Sequence, residues 1–120
     1  MPKILIVDDD RATSTLLRTL LEIEGYESVI CPRPDEVMQT ANREKPAVIV
    51  MDVHLAEVDS ISILTALRAD AALKSIPVVM TSGMDMHEKC MRAGASAFVL
   101  KPFKPSDLLD MIERLTPAQF

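Results

Sequence analysis

Two short aliphatic runs, Lys3-Ile4-Leu5-Ile6-Val7 and Ala47-Val48-Ile49-Val50-Met51, stop abruptly at carboxylates: Asp8-Asp9-Asp10 after the first, Asp52 after the second. A strand with no polar face must be covered on both sides, so each run predicts a central strand of a parallel sheet sandwiched between helices. In open sheets of that kind the ligand crevice lies at the carboxyl ends of the strands. Asp52 is therefore the first candidate for chemistry, set against the plainer reading that it only opens a turn.

The intervening segments fit the same plan. From Ala12 to Glu24, apolar residues at Leu16, Leu17, Leu20, Leu21 and Ile23 recur at helical spacing, with Asp10 as N-cap and Gly25 just past the end. Tyr26 to Cys31 predicts a strand, and Asp35 to Glu44 a helix with Val37, Met38 and Ala41 inward, stopped by Pro46. Val53 to Asp59 predicts a loop. A helix over Ser60–Arg68 would bury Ile61, Leu64 and Leu67. Ile76 to Thr81 predicts the fourth strand, ending in Ser82-Gly83, and Met84 to Ala93 a short helix burying Met86, Cys90 and Met91, closed by Gly94. Ala97 to Leu100 predicts the fifth strand, ending in Lys101-Pro102-Phe103, after which Ser106 and Asp107 open a helix directing Leu108, Leu109, Ile112 and Leu115 inward.

Strand and helix alternate five times with no repeat or low-complexity tract. Right-handed crossovers turn that order into a doubly wound parallel sheet with helices on both faces. The 120 residues suit one domain spanning 1–120, with 116–120 as a tail or the start of a linker. A net charge of -5 lacks the clustered Lys and Arg that phosphate backbones require, so direct nucleic-acid binding is not expected. With no apolar run near 18 residues and no basic-plus-apolar leader, neither a membrane span nor export is expected, and the chain reads as cytoplasmic. Cys31 and Cys90 form no C-x-x-C pair and read as small buried hydrophobes.

The strand ends gather Asp8, Asp9, Asp52, Ser82 and Lys101 at one edge. Like charges about 4 Å apart cost on the order of 4 kcal/mol per pair at an effective dielectric near 20, so cations must sit among the acids. Lys101 is one. Hard carboxylate oxygens also suit Mg²⁺, which keeps open positions for phosphoryl oxygens. A phosphoryl group there would meet the cation, the Lys101 ammonium and the Ser82 hydroxyl, with a carboxylate in line as nucleophile, and the product would be an acyl phosphate.

These motifs together resemble the response-regulator receiver family of two-component signalling, over nearly the whole chain. The matching stretches run from Lys3 to Asp10, Val48 to Asp52, Ile76 to Ser82, Ala93-Gly94-Ala95 and Lys101-Pro102-Phe103. The resemblance implies a flavodoxin-like (βα)5 fold with strand order 2-1-3-4-5. It implies Asp52 as phosphoacceptor, Asp9 as a direct Mg²⁺ ligand, Asp8 acting through metal-bound water, and the main-chain carbonyl of His54 as a third protein ligand. Lys101 would pair with the phosphoryl group, and its bond to Pro102 would be cis. Five residues after Pro77, Ser82 rather than Thr81 takes the switch position. The implied role is a phosphorylation-dependent switch rather than an enzyme. A sensor histidine kinase or histidine phosphotransfer protein would be the donor. A downstream protein or fused effector would be met through the fourth helix, fifth strand and fifth helix.

Departures from the family pattern fall beside the acceptor. Its usual Pro four residues later is Ala56 and its usual Gly eight later is Ser60, which implies a more mobile loop or a different path. The segment from Ser82 to Gly94 is short, implying a truncated or displaced fourth helix. Phe98 replaces the aromatic that could carry a hydroxyl. His54 and Met84 stand where the family tunes access of attacking water, His54 as a rim residue; His87 reads as solvated, and Met84, Met86 and Met91 as packing. Two other readings follow from the same residues. One is a receiver-like interaction module that never cycles through phosphate. The other is a haloacid-dehalogenase-like phosphohydrolase with Asp8-Asp9-Asp10 as its D-x-D motif, which Ala12 and the chain length disfavour.

Overall fold

The computed structural model describes residues 2–116, so most of the expected tail, residues 117–120, lies outside the described residues. In chain order the elements are β1 (Lys3–Val7), α1 (Arg11–Ile23), β2 (Glu27–Cys31), a 3-10 turn (Pro34–Glu36), α2 (Val37–Glu44), β3 (Val48–Asp52), β4 (His54–Leu55), β5 (Val58–Asp59), α3 (Ile61–Ala69), β6 (Val78–Ser82), α4 (His87–Arg92), β7 (Ala97–Leu100) and α5 (Pro105–Leu115). Five strands form one parallel sheet in the order β2-β1-β3-β6-β7. β6 and β7 are its fourth and fifth strands, so the expected order and the flavodoxin-like α/β class both hold.

The continuous apolar runs are explained by the period of two along a strand, which sends alternate side chains to opposite faces. Leu5, Val7, Ile49, Met51, Val78 and Met80 face a core completed by Val37 and Ala41 of α2, Leu64 and Leu67 of α3 and Cys90 of α4. Ile4, Ile6, Val48, Val50, Val79 and Val99 face the opposite core, closed by Leu17 and Leu21 of α1 and Leu108 and Ile112 of α5. Both thiols are free and buried, as small apolar residues would be.

Helix ends follow local chemistry. The Asp10 carboxylate accepts the N–H groups of Ala12 at 3.0 Å and Thr13 at 3.4 Å, as an N-cap should. Gly25, at φ +89°, reverses the chain after α1 while the Tyr26 N–H returns to the Leu21 carbonyl at 2.9 Å. α2 ends instead on Lys45 at φ +49°, where a Cβ is disfavoured. Lys45→Gly is therefore expected to stabilise the protein by about 0.5–1 kcal/mol, read as a raised urea midpoint with unchanged slope.

Three local expectations are corrected. α5 opens on Pro105, with Lys104 flanking it and no side-chain cap, so Ser106 lies inside the first turn. Proline's fixed φ and missing N–H suit that first position. Met91 is 38% exposed, because six-residue α4 turns only Cys90 fully inward while Met86 is half-buried. The segment after Asp52 is a two-stranded hairpin rather than an open loop.

Arg68 is a structural residue that no motif announced. From the end of α3 its guanidinium donates to the carbonyls of Gly94 at 2.8 Å, Lys74 at 3.1 Å and Ile76 at 2.7 Å. Its Cγ lies 2.8 Å from where a Cβ on Gly94 would stand, and Gly94 has φ +107°, so this close approach requires glycine.

Candidate functional site

Sheet register brings the polar strand ends together. Val7 pairs with Met51, so Asp8 and Asp52 leave neighbouring strands at one edge; Asp52 pairs with Thr81, and Ser82 with Leu100, one residue before Lys101. The order of the strands reverses between β1 and β3, the switch point where such sheets hold ligands.

The three acids of Asp8-Asp9-Asp10 divide their work. Asp8 is buried, and its Oδ1 accepts the Asp10 N–H at 2.9 Å. Asp9 is exposed, and its Oδ2 accepts the Ala56 N–H at 2.9 Å. Asp10 caps α1 and, among the three, stands apart from the site. Asp8, Asp9 and Asp52 each offer an oxygen within 4.8 Å of the others. Lys101 Nζ lies 3.2 Å from Asp52 Oδ2 and 3.6 Å from Asp8 Oδ2. Its peptide bond to Pro102 is cis.

Electrostatics follow from this crowding. Burial lifts the Asp8 carboxyl above its ordinary range, although the Asp10 N–H and the Lys101 ammonium pull the other way. Burial also works against the Lys101 charge, but Asp8 and then Asp52 outweigh it and hold the ammonium above its ordinary pKa. Lys101 is thus charged at neutral pH. Three carboxylates against one ammonium leave a surplus of negative charge on hard oxygen donors, a set that fits a small divalent cation.

Ser82 is completely buried at the end of β6, its Oγ accepting the Met84 N–H at 3.0 Å and its carbonyl accepting the Lys101 N–H at 2.8 Å. The main chain of Ser82 is thereby tied to the lysine. Thr81, on the opposite face of the strand, lines a narrow cleft with Asp8, Asp52, Lys101 and Phe103. His54 is exposed, and its N–H donates to Asp52 Oδ1 at 3.3 Å. His87 is exposed but stands edge-on to Phe98, ring centres 6.0 Å apart.

In the hairpin after Asp52, His54 lies opposite Asp59 and Leu55 opposite Val58, with Leu55 buried as its anchor. Ala56 turns the tip at φ +55°, which costs a non-glycine residue roughly 1–2 kcal/mol. In the sequence Ala56 and Ser60 stand only as departures from the family pattern. Their contacts with the acids are visible in three dimensions, and the sole signal for them was that a hydroxyl and a free N–H had replaced Gly and Pro. Beside Lys101 an apolar groove of about 470 Å³ is lined by Leu16, Leu17, Leu20, Pro102 and Phe103, with Leu16 55% exposed.

Fold and site define a flavodoxin-like α/β protein carrying an acid-and-lysine centre at its switch point. The model of the response regulator receiver domain matches residues 4–113, and the chain belongs to that family, which serves two-component signalling. It is similar to the polar-differentiation response regulator DivK of Brucella anthropi, 30% identical over 117 residues that cover 94% of this chain and 95% of that protein. It is 34% identical over 109 residues to the alkaline phosphatase synthesis transcriptional regulatory protein PhoP of Bacillus subtilis, covering 88% of this chain but 45% of that longer protein. Among solved structures it resembles the receiver domain of the Francisella response regulator 1452, with TM-score 0.88 and 26% identity over 96% of each chain. It also resembles the chemotaxis response regulator CheY4 of Vibrio cholerae, with TM-score 0.86 and 27% identity over 96% of this chain and 98% of that one. Among the described residues no helix is long and apolar enough to cross a membrane.

Proposed function

We propose that the whole chain acts as one receiver domain in which Asp52 accepts a phosphoryl group from a phosphohistidine donor. The observation that carries this reading is the convergence of Asp8, Asp9 and Asp52 within 4.8 Å, with Lys101 at 3.2 Å from the Asp52 carboxylate. A carboxylate oxygen of Asp52 attacks phosphorus, the P–N bond to the donor imidazole breaks, and an acyl phosphate forms on Asp52. Lys101 pairs with the phosphoryl oxygens that Asp52 gains. Asp9 and Asp52, the His54 carbonyl, and Asp8 through water would hold Mg²⁺, which when bound neutralises charge on the transferring group.

The Ser82 hydroxyl, whose oxygen accepts the Met84 N–H, then turns to donate its own hydrogen to a phosphoryl oxygen, and that movement biases the face of α4, β7 and α5 toward a downstream protein or fused effector. Moving a switch from mostly off to mostly on takes about 5.5 kcal/mol of differential stabilisation. Contacts of about 1.5–3 kcal/mol each to Lys101 and Ser82, together with the cation, are of that size. The donor is a sensor histidine kinase or a histidine phosphotransfer protein. Its apolar side chains have a landing place beside the acceptor in the groove lined by Leu16 and Phe103. Two buried free thiols suit a reducing, cytoplasmic setting.

The test is intact-mass detection of one labile phosphate after incubation with a small phosphodonor and Mg²⁺, mapped to its residue. A companion expectation concerns the cation alone. Mg²⁺ at a hundred times its dissociation constant should stabilise the fold by about 2.7 kcal/mol. Thermal melts at constant ionic strength should show this rise in the parent protein and lose most of it in Asp9→Asn. An equal rise in both would remove Asp9 from the ligand set.

A further inference from the structure

The connection from β3 to α3 is stitched to the acidic site at both positions where it departs from the family pattern. Ser60 is completely buried, and its hydroxyl donates to the main-chain carbonyl of Asp52 at 2.5 Å. Its N–H donates to the Val53 carbonyl at 2.8 Å, and its own carbonyl accepts the Leu64 N–H at 3.0 Å, so the residue belongs to strand end and helix start at once. With φ −73° and ψ −1° it occupies the ordinary right-handed region, where nothing in the backbone requires glycine. What serine adds here is a hydroxyl aimed at the acceptor's main chain. At the hairpin tip the Ala56 N–H reaches the Asp9 carboxylate at 2.9 Å, a bond that proline could not donate.

We propose that Ser60 is a positioning residue for Asp52. By holding the Asp52 carbonyl against the first turn of α3, its hydroxyl fixes the main chain from Asp52 to His54 and so sets the aim of the Asp52 carboxylate. Groups that orient a ligand without touching the metal commonly change affinity by about 10–100-fold when removed. The orienting bond here is to the ligand's main chain, so the effect falls at the lower end of that range. The inference rests on the reading of Asp52 as both acceptor and cation ligand.

The experiment compares the full chain with Ser60→Ala, Ser60→Gly and Ser60→Thr. Mn²⁺ affinity is measured by paramagnetic resonance of free Mn²⁺ on unphosphorylated protein. The Mg²⁺ concentration giving half-maximal labelling by a small phosphodonor is measured beside it, and thermal melts report the fold. The Ala and Gly variants are expected to bind Mn²⁺ about tenfold more weakly and to need about tenfold more Mg²⁺. Both lose only atoms, so a lowered melting temperature rather than loss of the fold is expected. The Thr variant, if its added methyl is accommodated, returns both values to within about twofold, and if it does not fold the Ala and Gly pair decides alone. Wild-type Mn²⁺ affinity in both of those variants, with lowered melting temperatures, would overturn the proposal and leave Ser60 a merely structural residue. A parent protein that binds Mn²⁺ but takes up no phosphate would sink the acceptor reading while the Mn²⁺ comparison still judged Ser60. A parent protein that binds no Mn²⁺ would overturn both.

Discussion

Asp52→Asn is expected to take up no phosphate from a small phosphodonor in Mg²⁺, while remaining folded. The amide keeps the shape of the carboxylate but offers no anionic oxygen to attack phosphorus, so the loss should be complete to the detection limit of intact-mass measurement. The fold should tolerate the change because its electrostatic consequences oppose each other. Removing the Asp52 charge takes away its attraction to Lys101 at 3.2 Å, but also its repulsion of Asp8 and Asp9, and Lys101 keeps Asp8 at 3.6 Å. The melting temperature is therefore expected to stay within a few degrees of the parent, since each kcal/mol moves a domain of this size by about 4 °C. Undiminished labelling of the variant would move the acceptor to another residue. Loss of label together with collapse of the fold would show that Asp52 matters for structure, and would leave its chemistry to be read from mapping the phosphate on the parent protein.

The second large effect concerns stability alone. Arg68→Ala is expected to destabilise the protein by about 2–4 kcal/mol, lowering its melting temperature by about 8–16 °C. Three main-chain carbonyls, those of Gly94, Lys74 and Ile76, lose a charged donor in that variant. Hydrogen bonds to charged groups contribute about 1.5–3 kcal/mol each, and carbonyls that find water recover part of the loss. Arg68→Lys should rescue little, because an ammonium cannot present the planar fork that spans the end of α3, the start of β6 and the turn before β7. A change below about 1 kcal/mol in urea unfolding would mean that water replaces the guanidinium at little expense.

Much of the molecule was readable before folding. The apolar runs ending at Val7 and Met51 read as strands covered on both faces, and their polar ends pointed to the crevice, because a parallel sheet collects carboxyl ends at one edge. Asp10 as a cap and Gly25 past the end of α1 were local chemistry, decided within a few residues. The same local rules erred where two of them competed. Ser106 looked like a cap, but Pro105 claimed the first helical position.

The amino-acid order by itself determined the five strands of the parallel sheet, the helices between them and which residue types would meet at the sheet edge, since propensity, apolar period and capping act over neighbours. Only tertiary structure decided that Asp9 meets Ala56 across 47 residues, that Arg68 reaches Gly94 across 26, and that Ser60 closes back on the carbonyl of Asp52. Those contacts depend on where two distant backbones pass within a hydrogen bond of each other. No period or local motif encodes that separation, because it is set by the packing of the whole sheet and its helices.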